Sequence, residues 1–217
     1  MANDERIEIL SPKINNVTLL VRGDSSLICN RLSSEVMQTI KQPGKDNKKI
    51  VAKLGGTYVT DDEEYERSRY FTRSNKNGFP LNAFKKAVIA VAKGKGWWSG
   101  TNITGKLLNA SFQLIEENDD PCVEIIGEIK RREDIGRRPA KKTPAMIRRY
   151  EYQSGWECKF RAKYNANLIS LQSLIGLIDT AGYGIGVGDW RPELDGNHGM
   201  FKIVGSYDEK GNWIAIT

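Results

Sequence analysis

One histidine and three cysteines are the whole stock of ready metal ligands and nucleophiles in this chain of 217 residues. Cys29, Cys122 and Cys158 are odd in number and lie 93 and 36 residues apart, so neither a disulfide framework nor a CxxC zinc site can be written, and buried, reduced thiols are the expectation. No apolar run approaches the roughly 20 residues that cross a bilayer, and Met1-Ala2-Asn3-Asp4-Glu5-Arg6 has neither the basic nor the apolar region of a secretion signal. A cytoplasmic, soluble protein without membrane contact is expected. His198 has no legible acid–base partner, and a metal-dependent nuclease would need clustered carboxylates. Asp61-Asp62-Glu63-Glu64 is a cluster, but four consecutive acids in a polar stretch read as a solvated face. No catalytic residue, metal site or small-molecule cofactor is therefore expected. Asp189 is read as a partner for Arg191.

Positive charge, in contrast, is in excess and in one place. The formal charge is +6 and the pI about 9.1, yet Lys130 to Arg149 holds nine basic residues against Glu133 and Asp134, a net +7 that leaves the rest of the chain near −1. The nine are Lys130, Arg131, Arg132, Arg137, Arg138, Lys141, Lys142, Arg148 and Arg149, interrupted by Gly136, Pro139 and Pro144, which forbid a long helix and suggest an extended or hairpin arm. Such an arm suits a phosphate backbone, because guanidinium forks pair with phosphates and each contact releases counterions. Tyr150 and Tyr152 beside Arg148 and Arg149, and Tyr70 and Phe71 among Arg67, Arg69 and Arg73, add rings on which unpaired bases could stack. Each ring taken singly reads first as half-buried packing, and it is the co-location of rings and charge that carries the argument.

The hydrophobic pattern supplies the frame. Val17-Thr18-Leu19-Leu20-Val21, closed by Gly23-Asp24, reads as a buried first strand, and Ser33 or Ser34 would cap a short helix to Lys41. From Gln42 to Gly78 the periodicity dissolves, which marks an insertion. Pro80, then Leu81, Phe84, Val88 and Val91, then Gly94, define an amphipathic helix. Lys106–Glu117 and Cys122–Arg132 read as strands joined by Asn118-Asp119-Asp120-Pro121, with Val123, Ile125, Gly127 and Ile129 on one face. Trp156 to Tyr164 alternates strictly, setting Trp156, Cys158, Phe160, Ala162 and Tyr164 on one face and Glu157, Lys159, Arg161 and Lys163 on the other. Ser170 caps a helix that stops at Ala181-Gly182, and Phe201–Val204 with Trp213–Ile216 make a last strand pair. This order of strands and helices predicts an α+β domain over residues 1–217, a modified ferredoxin-like (RRM-like) fold with insertions at about 42–78 and 130–149.

Gly182, Gly184, Gly186 and Gly188 alternate after a helix and before a strand, the reverse of a dinucleotide-binding fingerprint, and the P-loop pattern is absent. Two readings stay open for this segment: backbone amides offered to phosphates, or close packing of bare backbone against the helix.

The helix opening Phe79-Pro80-Leu81-Asn82-Ala83-Phe84-Lys85-Lys86-Ala87, followed far downstream by a glycine-rich loop leading into a final strand, resembles the RAMP superfamily of CRISPR-associated proteins. Pro80, Phe84, Lys85 and Ala87 match the family's helix motif and Gly184, Gly186 and Gly188 its glycine loop, while Leu81 and Lys86 stand where glycines are common. The resemblance implies an RRM-like backbone subunit that coats a guide RNA with related subunits or copies of itself; a stand-alone or viral relative would carry the same motifs. Residues expected at the nucleic acid are Lys85, Arg131, Arg132, Arg137, Arg138, Lys141, Lys142, Arg148, Arg149, Lys159, Arg161, Gly184, Gly186, Gly188 and Arg191. Non-catalytic binding of single-stranded nucleic acid, RNA foremost, leads. A metal-independent ribonuclease using His198, and a self-assembling or protein-interaction subunit with a basic docking arm, are the alternatives.

Overall fold

The computed structural model describes residues 11–31, 60–92, 104–137, 144–208 and 210–214, with backbone alone at 137 and 145. In chain order its elements are β1 (Ile14–Gly23), β2 (Leu27–Ile28), α1 (Asp61–Ser68), β3 (Tyr70–Phe71), β4 (Asn77–Pro80), α2 (Leu81–Val91), α3 (Gly105–Ser111), β5 (Phe112–Ile115), β6 (Cys122–Ile126), β7 (Ile129–Arg137), β8 (Pro144–Tyr152), β9 (Glu157–Asn165), α4 (Leu171–Gly184), β10 (Phe201–Tyr207) and β11 (Trp213–Ile214). An eight-stranded sheet runs β11-β10-β1-β9-β6-β4-β3 with β5 also on β9, and a three-stranded sheet runs β2-β8-β7. All the pairings are antiparallel, so the fold is α+β.

β9 organises the large sheet. It pairs with β1 from Ile14↔Asn165 to Arg22↔Glu157, while its other edge is divided: β6 sets Ile125 and Ile126 against Cys158 and Glu157, and β5 sets Phe112 to Ile115 against Tyr164 to Arg161. The alternation read from the sequence holds, with Cys158, Phe160, Ala162 and Tyr164 buried and Lys159, Arg161 and Lys163 exposed. On the buried face Phe84 of α2 is the hub, its ring centroid 5.4 Å from that of Phe160 and 5.3 Å from that of Phe201. α2 buries Leu81, Phe84, Ala87, Val88 and Val91 at the spacing of one helical face. α4, capped by Ser170 accepting from the Ser173 amide, packs Leu174, Ile175, Ile178 and Ala181 beside it.

The two sheets meet at a corner filled by Trp156, which is fully buried. Its indole N–H donates to the Ser25 carbonyl at 2.9 Å. A Cβ at Gly23 would fall 2.0 Å from the indole Nε1, and one at Gly127 would fall 3.1 Å from the Trp156 Cα, so the ring occupies the space a side chain would need at Gly23 and the Trp156 main chain crowds Gly127.

Several expectations change. Lys106–Ser111 is helical rather than extended: Thr104 caps α3 by accepting from the Leu107 amide, and Gly105–Ser111 contains no β-branched residue to favour a strand before Phe112. β6 ends at Ile126, and Ile129 belongs to the second sheet, so the expected Val123–Ile129 face is split between sheets. α4 runs on to Gly184. The supposed patternless insertion contains α1, β3 and the first half of β4. Thr60 and Glu63 form a reciprocal capping box at the start of α1, a signal present in the sequence as Thr-x-x-Glu. The helix expected near Ser33–Lys41, and the Gly94 stop, lie outside the described residues.

Candidate nucleic-acid interface

The basic arm is a hairpin, β7 with β8, in register from Ile129↔Tyr152 to Arg137↔Pro144. Alternation along each strand sends its charges to two faces. One face carries Arg131, Arg148 and Tyr150 and is covered by α1. Arg131 pairs with Asp62 at 2.7 Å, and Arg148 reaches Asp61 at 3.0 Å and Glu64 at 3.5 Å, with Glu133 across the hairpin at 2.9 Å. Tyr65 of α1 is buried against the Tyr150 ring, 5.7 Å between centroids, and Arg131 lies over Tyr65 at 4.7 Å. The Tyr150 amide donates to the Ser68 hydroxyl at 2.8 Å. The acidic run, read from the sequence as a solvated face, keeps Asp61 and Asp62 largely exposed and also pairs Asp61, Asp62 and Glu64 with arginines across this contact. Tyr70 and Phe71 also serve packing: the Tyr70 hydroxyl donates to the Asn30 carbonyl at 3.1 Å, and Arg69 stacks between Phe71 and Tyr150 at 4.7 and 4.8 Å.

The opposite face carries Arg132 and Arg149, directly cross-strand from one another. Two like charges so placed need carboxylates, and the fold supplies three. Arg132 pairs with Asp134 at 2.8 Å and Glu151 at 3.1 Å, and buried Arg149 pairs with Asp189 at 2.5 Å. Asp189 also accepts from the Asn30 side chain at 3.0 Å, so it is the partner of Arg149 and not, as the sequence suggested, of Arg191. Arg191 instead pairs with Glu193 at 2.8 Å and donates to the Gly188 carbonyl at 3.1 Å. Both hairpin guanidiniums lie near the Trp190 ring, at 5.1 and 5.7 Å. Trp190 holds a left-handed φ of 52°, which an aromatic residue adopts only where its surroundings fix it.

His198 belongs to this junction. Its Nδ1 is 2.7 Å from the Ser26 hydroxyl and 3.9 Å from Glu151, and its ring is tilted against Trp190 at 6.2 Å. Burial, then the Arg132 charge, hold its pKa below the usual value. The thiols are equally quiet: burial pushes Cys29 up to about 12 and raises Cys122 and Cys158.

The glycine segment is mostly folded back on itself. Gly184 is the last residue of α4. Amides of Ile185, Gly186, Val187 and Asp189 donate to carbonyls of the chain, so those donors are engaged within the fold. Gly182 lets the helix lie against β10, since a Cβ there would sit 1.8 Å from the Phe201 carbonyl oxygen. Gly188, at φ 81°, does the same for the Ile28 carbonyl at 2.7 Å.

The two motifs on which the family resemblance was drawn meet here. A cavity of about 550 Å³ lies between α2 and the glycine loop, lined among others by Asn82, Lys86, Gly186, Gly188 and Arg191. Lys85, the residue the motif singled out, is directed away: its ammonium donates to Gln113 of β5, and burial lowers its pKa. Lys86 takes the place beside the loop. Lys159 and Arg161 stand apart from hairpin and cavity, on the exposed face of β9. Arg138, Lys141 and Lys142 lie outside the described residues, as does the side chain of Arg137. Trp190 and Lys86 were missed by sequence reasoning. A charge-counting argument overlooks a lone tryptophan in a glycine stretch, and a motif match selects Lys85 by position, not by the direction it points.

Among the described residues no group of three or more His, Cys, Asp or Glu could hold a metal ion, and no helix is long and apolar enough to cross a membrane. No family model matches the chain, and no curated protein matches it. Among solved structures, a chain of the cryo-EM structure of the Type III-B Cmr-beta bound to cognate target RNA is similar at TM-score 0.46 and 9% identity, over 94% of this chain and 62% of that one. This chain thus spans less than two thirds of the length of that neighbour.

Proposed function

We propose that the protein binds single-stranded nucleic acid, RNA foremost, without cleaving it, and that the basic run 137–142, which begins at the last residue of β7 and precedes β8 in the chain, is the principal contact. The observation that carries this reading is how the arm's charge is divided. At its base, Arg131, Arg132, Arg148 and Arg149 all have carboxylate partners. Residues 137–142 then place Arg137, Arg138, Lys141 and Lys142 together with no acid among them. Framework arginines explain the first group, and solubility does not call for four cations in six residues. Phosphates are the natural counterpart.

Two further features support the reading. The order β10-β1-β9-β6, with α2 between β1 and β6 in the chain and α4 between β9 and β10, supports reading the chain as a split βαβ repeat, a ferredoxin-like unit that would carry the hairpin and the 42–78 stretch as insertions. The cavity between α2 and the glycine loop offers Lys86, Arg191 and Asn82 as a second polar contact. The neighbours of His198 account for it as part of the Trp190 junction, so the ribonuclease alternative is not taken up. Assembly along the strand, with copies of itself or related subunits, completes the proposal.

The test is fluorescence anisotropy of a labelled single-stranded oligonucleotide titrated with the full chain across a salt series. Six to eight phosphate contacts give a log–log slope of about −4 to −6. Arg137→Glu with Arg138→Glu should abolish most of the affinity while leaving the circular dichroism melt unchanged. Salt-independent binding, or full affinity in that variant, would refute the assignment. If the chain freed of nucleic acid forms the same oligomers, the protein-interaction alternative replaces it.

A further inference from the structure

The face of the large sheet turned away from α2 and α4 has a composition of its own. Register puts Thr18 and Leu20 of β1 opposite Arg161 and Lys159 of β9 and opposite Tyr207 and Gly205 of β10, so all six positions share that face. β11 adds Trp213 opposite Tyr207. Lys159, Arg161 and Lys163 are exposed along β9. Among the described residues the nearest carboxylate to any of the three is Glu117, 3.8 Å from Arg161.

The indole is the unusual part. Trp213 is 55% exposed, although a tryptophan on a sheet is ordinarily covered. Its ring meets Tyr207 edge-on, centroids 5.3 Å apart at 81°. It also lies against the strand at Gly205, where a Cβ would fall 2.6 Å from the indole Cζ3. The ring is thus seated on backbone with Tyr207 at its side. The Lys159 ammonium is 5.4 Å from the Tyr207 centroid, which ties the rings to the row of cations. The central strands contribute Thr18, Leu20, Lys159 and Arg161, and the rings come from the β10–β11 edge.

We infer that this face is a second contact for a single strand of nucleic acid, in which one unpaired base stacks on Trp213 and the following phosphates run along Lys159, Arg161 and Lys163. Residues two apart on a strand repeat at roughly 6.6 Å, the same order as the interval between phosphates of an extended single strand. A seated, half-exposed indole beside cations is the combination that holds a base by its flat face and the backbone by its charge. The inference rests on the proposed binding of single strands and adds a site on the large sheet, whereas the hairpin belongs to the three-stranded sheet.

The experiment measures affinity of the full chain for a fluorescein-labelled oligouridine and for the same oligomer made abasic. Trp213→Ala should weaken oligouridine binding roughly tenfold, Trp213→Phe should restore most of it, and the abasic oligomer should bind wild type and Trp213→Ala alike. Lys159→Glu with Lys163→Glu should flatten the salt slope by about 1.4, two phosphates' worth. Unchanged affinity in Trp213→Ala, alongside a loss in Arg137→Glu with Arg138→Glu, overturns this face and leaves the hairpin reading standing. Wild type that binds neither oligomer overturns both. If Trp213→Ala keeps its affinity and instead abolishes self-association of the nucleic-acid-free chain, the occupant is a second copy and the inference fails.

Discussion

Neutralising the acidic face of α1 should make the protein a better binder, because Asp61, Asp62 and Glu64 occupy guanidiniums that could otherwise take phosphates. In the variant Asp61→Asn, Asp62→Asn, Glu64→Gln the side chains keep their size while three negative charges leave the immediate surroundings of Arg131 and Arg148. The Thr60–Glu63 capping box is untouched, and Tyr65 and Ser68 remain buried. Exposed ion pairs contribute about 0.2–1 kcal/mol each, and first-turn carboxylates about 0.3–1 kcal/mol each. The total loss, about 1.5–6 kcal/mol, is to be set against a domain stability of about 5–15 kcal/mol, so the melt of the variant is recorded before its binding. Arg148 keeps Glu133 at 2.9 Å, so Arg131 is the guanidinium set free. One further phosphate contact steepens the log–log salt slope by about 0.7, which corresponds to roughly fourfold tighter binding near physiological salt. Anisotropy titrations between about 50 and 200 mM salt resolve such a change. An unchanged slope in a variant whose melt shows it folded would refute the reasoning and make Arg131 a framework charge only.

Other expectations follow from particular contacts. Gly182→Ala should destabilise the chain by about 1–3 kcal/mol or more, read by chemical denaturation, because the new methyl would meet the Phe201 carbonyl oxygen at 1.8 Å and backbone must move. Phe84→Ala should cost about 3–5 kcal/mol through the cavity left among Phe160, Phe201 and Trp156; a cost below about 1 kcal/mol would show that the hub is not packed as described. Arg149→Met leaves Asp189 without its cation, and should lower stability by about 2–4 kcal/mol, while Arg149→Met with Asp189→Asn recovers part of the loss. His198 carries a depressed pKa in the fold. The unfolded chain therefore takes up the proton first, and stability should fall as pH drops below about 6.5. In His198→Gln that part of the pH dependence disappears from melts recorded between about pH 5 and 8.

Where local periodicity decides structure, the sequence was readable. β9 declares itself by strict alternation and α2 by apolar residues three and four apart, and both lie where the pattern put them. Short elements held by a cap and one large buried side chain were not: α1 has a mostly charged sequence and one buried ring, Tyr65, and α3 rests on Thr104 and Leu108. Both carry a threonine cap, which is the signal to weigh when hydrophobic pattern is too short to speak. The arm was legible as a hairpin because glycine and prolines exclude a helix. Its division into two faces follows from alternation once the register is fixed. The identity of the partners outside the hairpin does not, since Asp62 and Asp189 reach Arg131 and Arg149 only through tertiary contacts 69 and 40 residues away in the chain.

The corner built by Gly23, Gly127 and Trp156 bears on how recognition would proceed. An indole that fills the angle between two sheets, pinned by its own N–H, leaves that angle no room to open or close. The arm is then a fixed feature of the surface at its root, and a strand lying along it must supply the bending itself. Flexible, unstructured sequences would be favoured over stiffly stacked purine runs, a selection made by the stiffness of the ligand and not by any base edge.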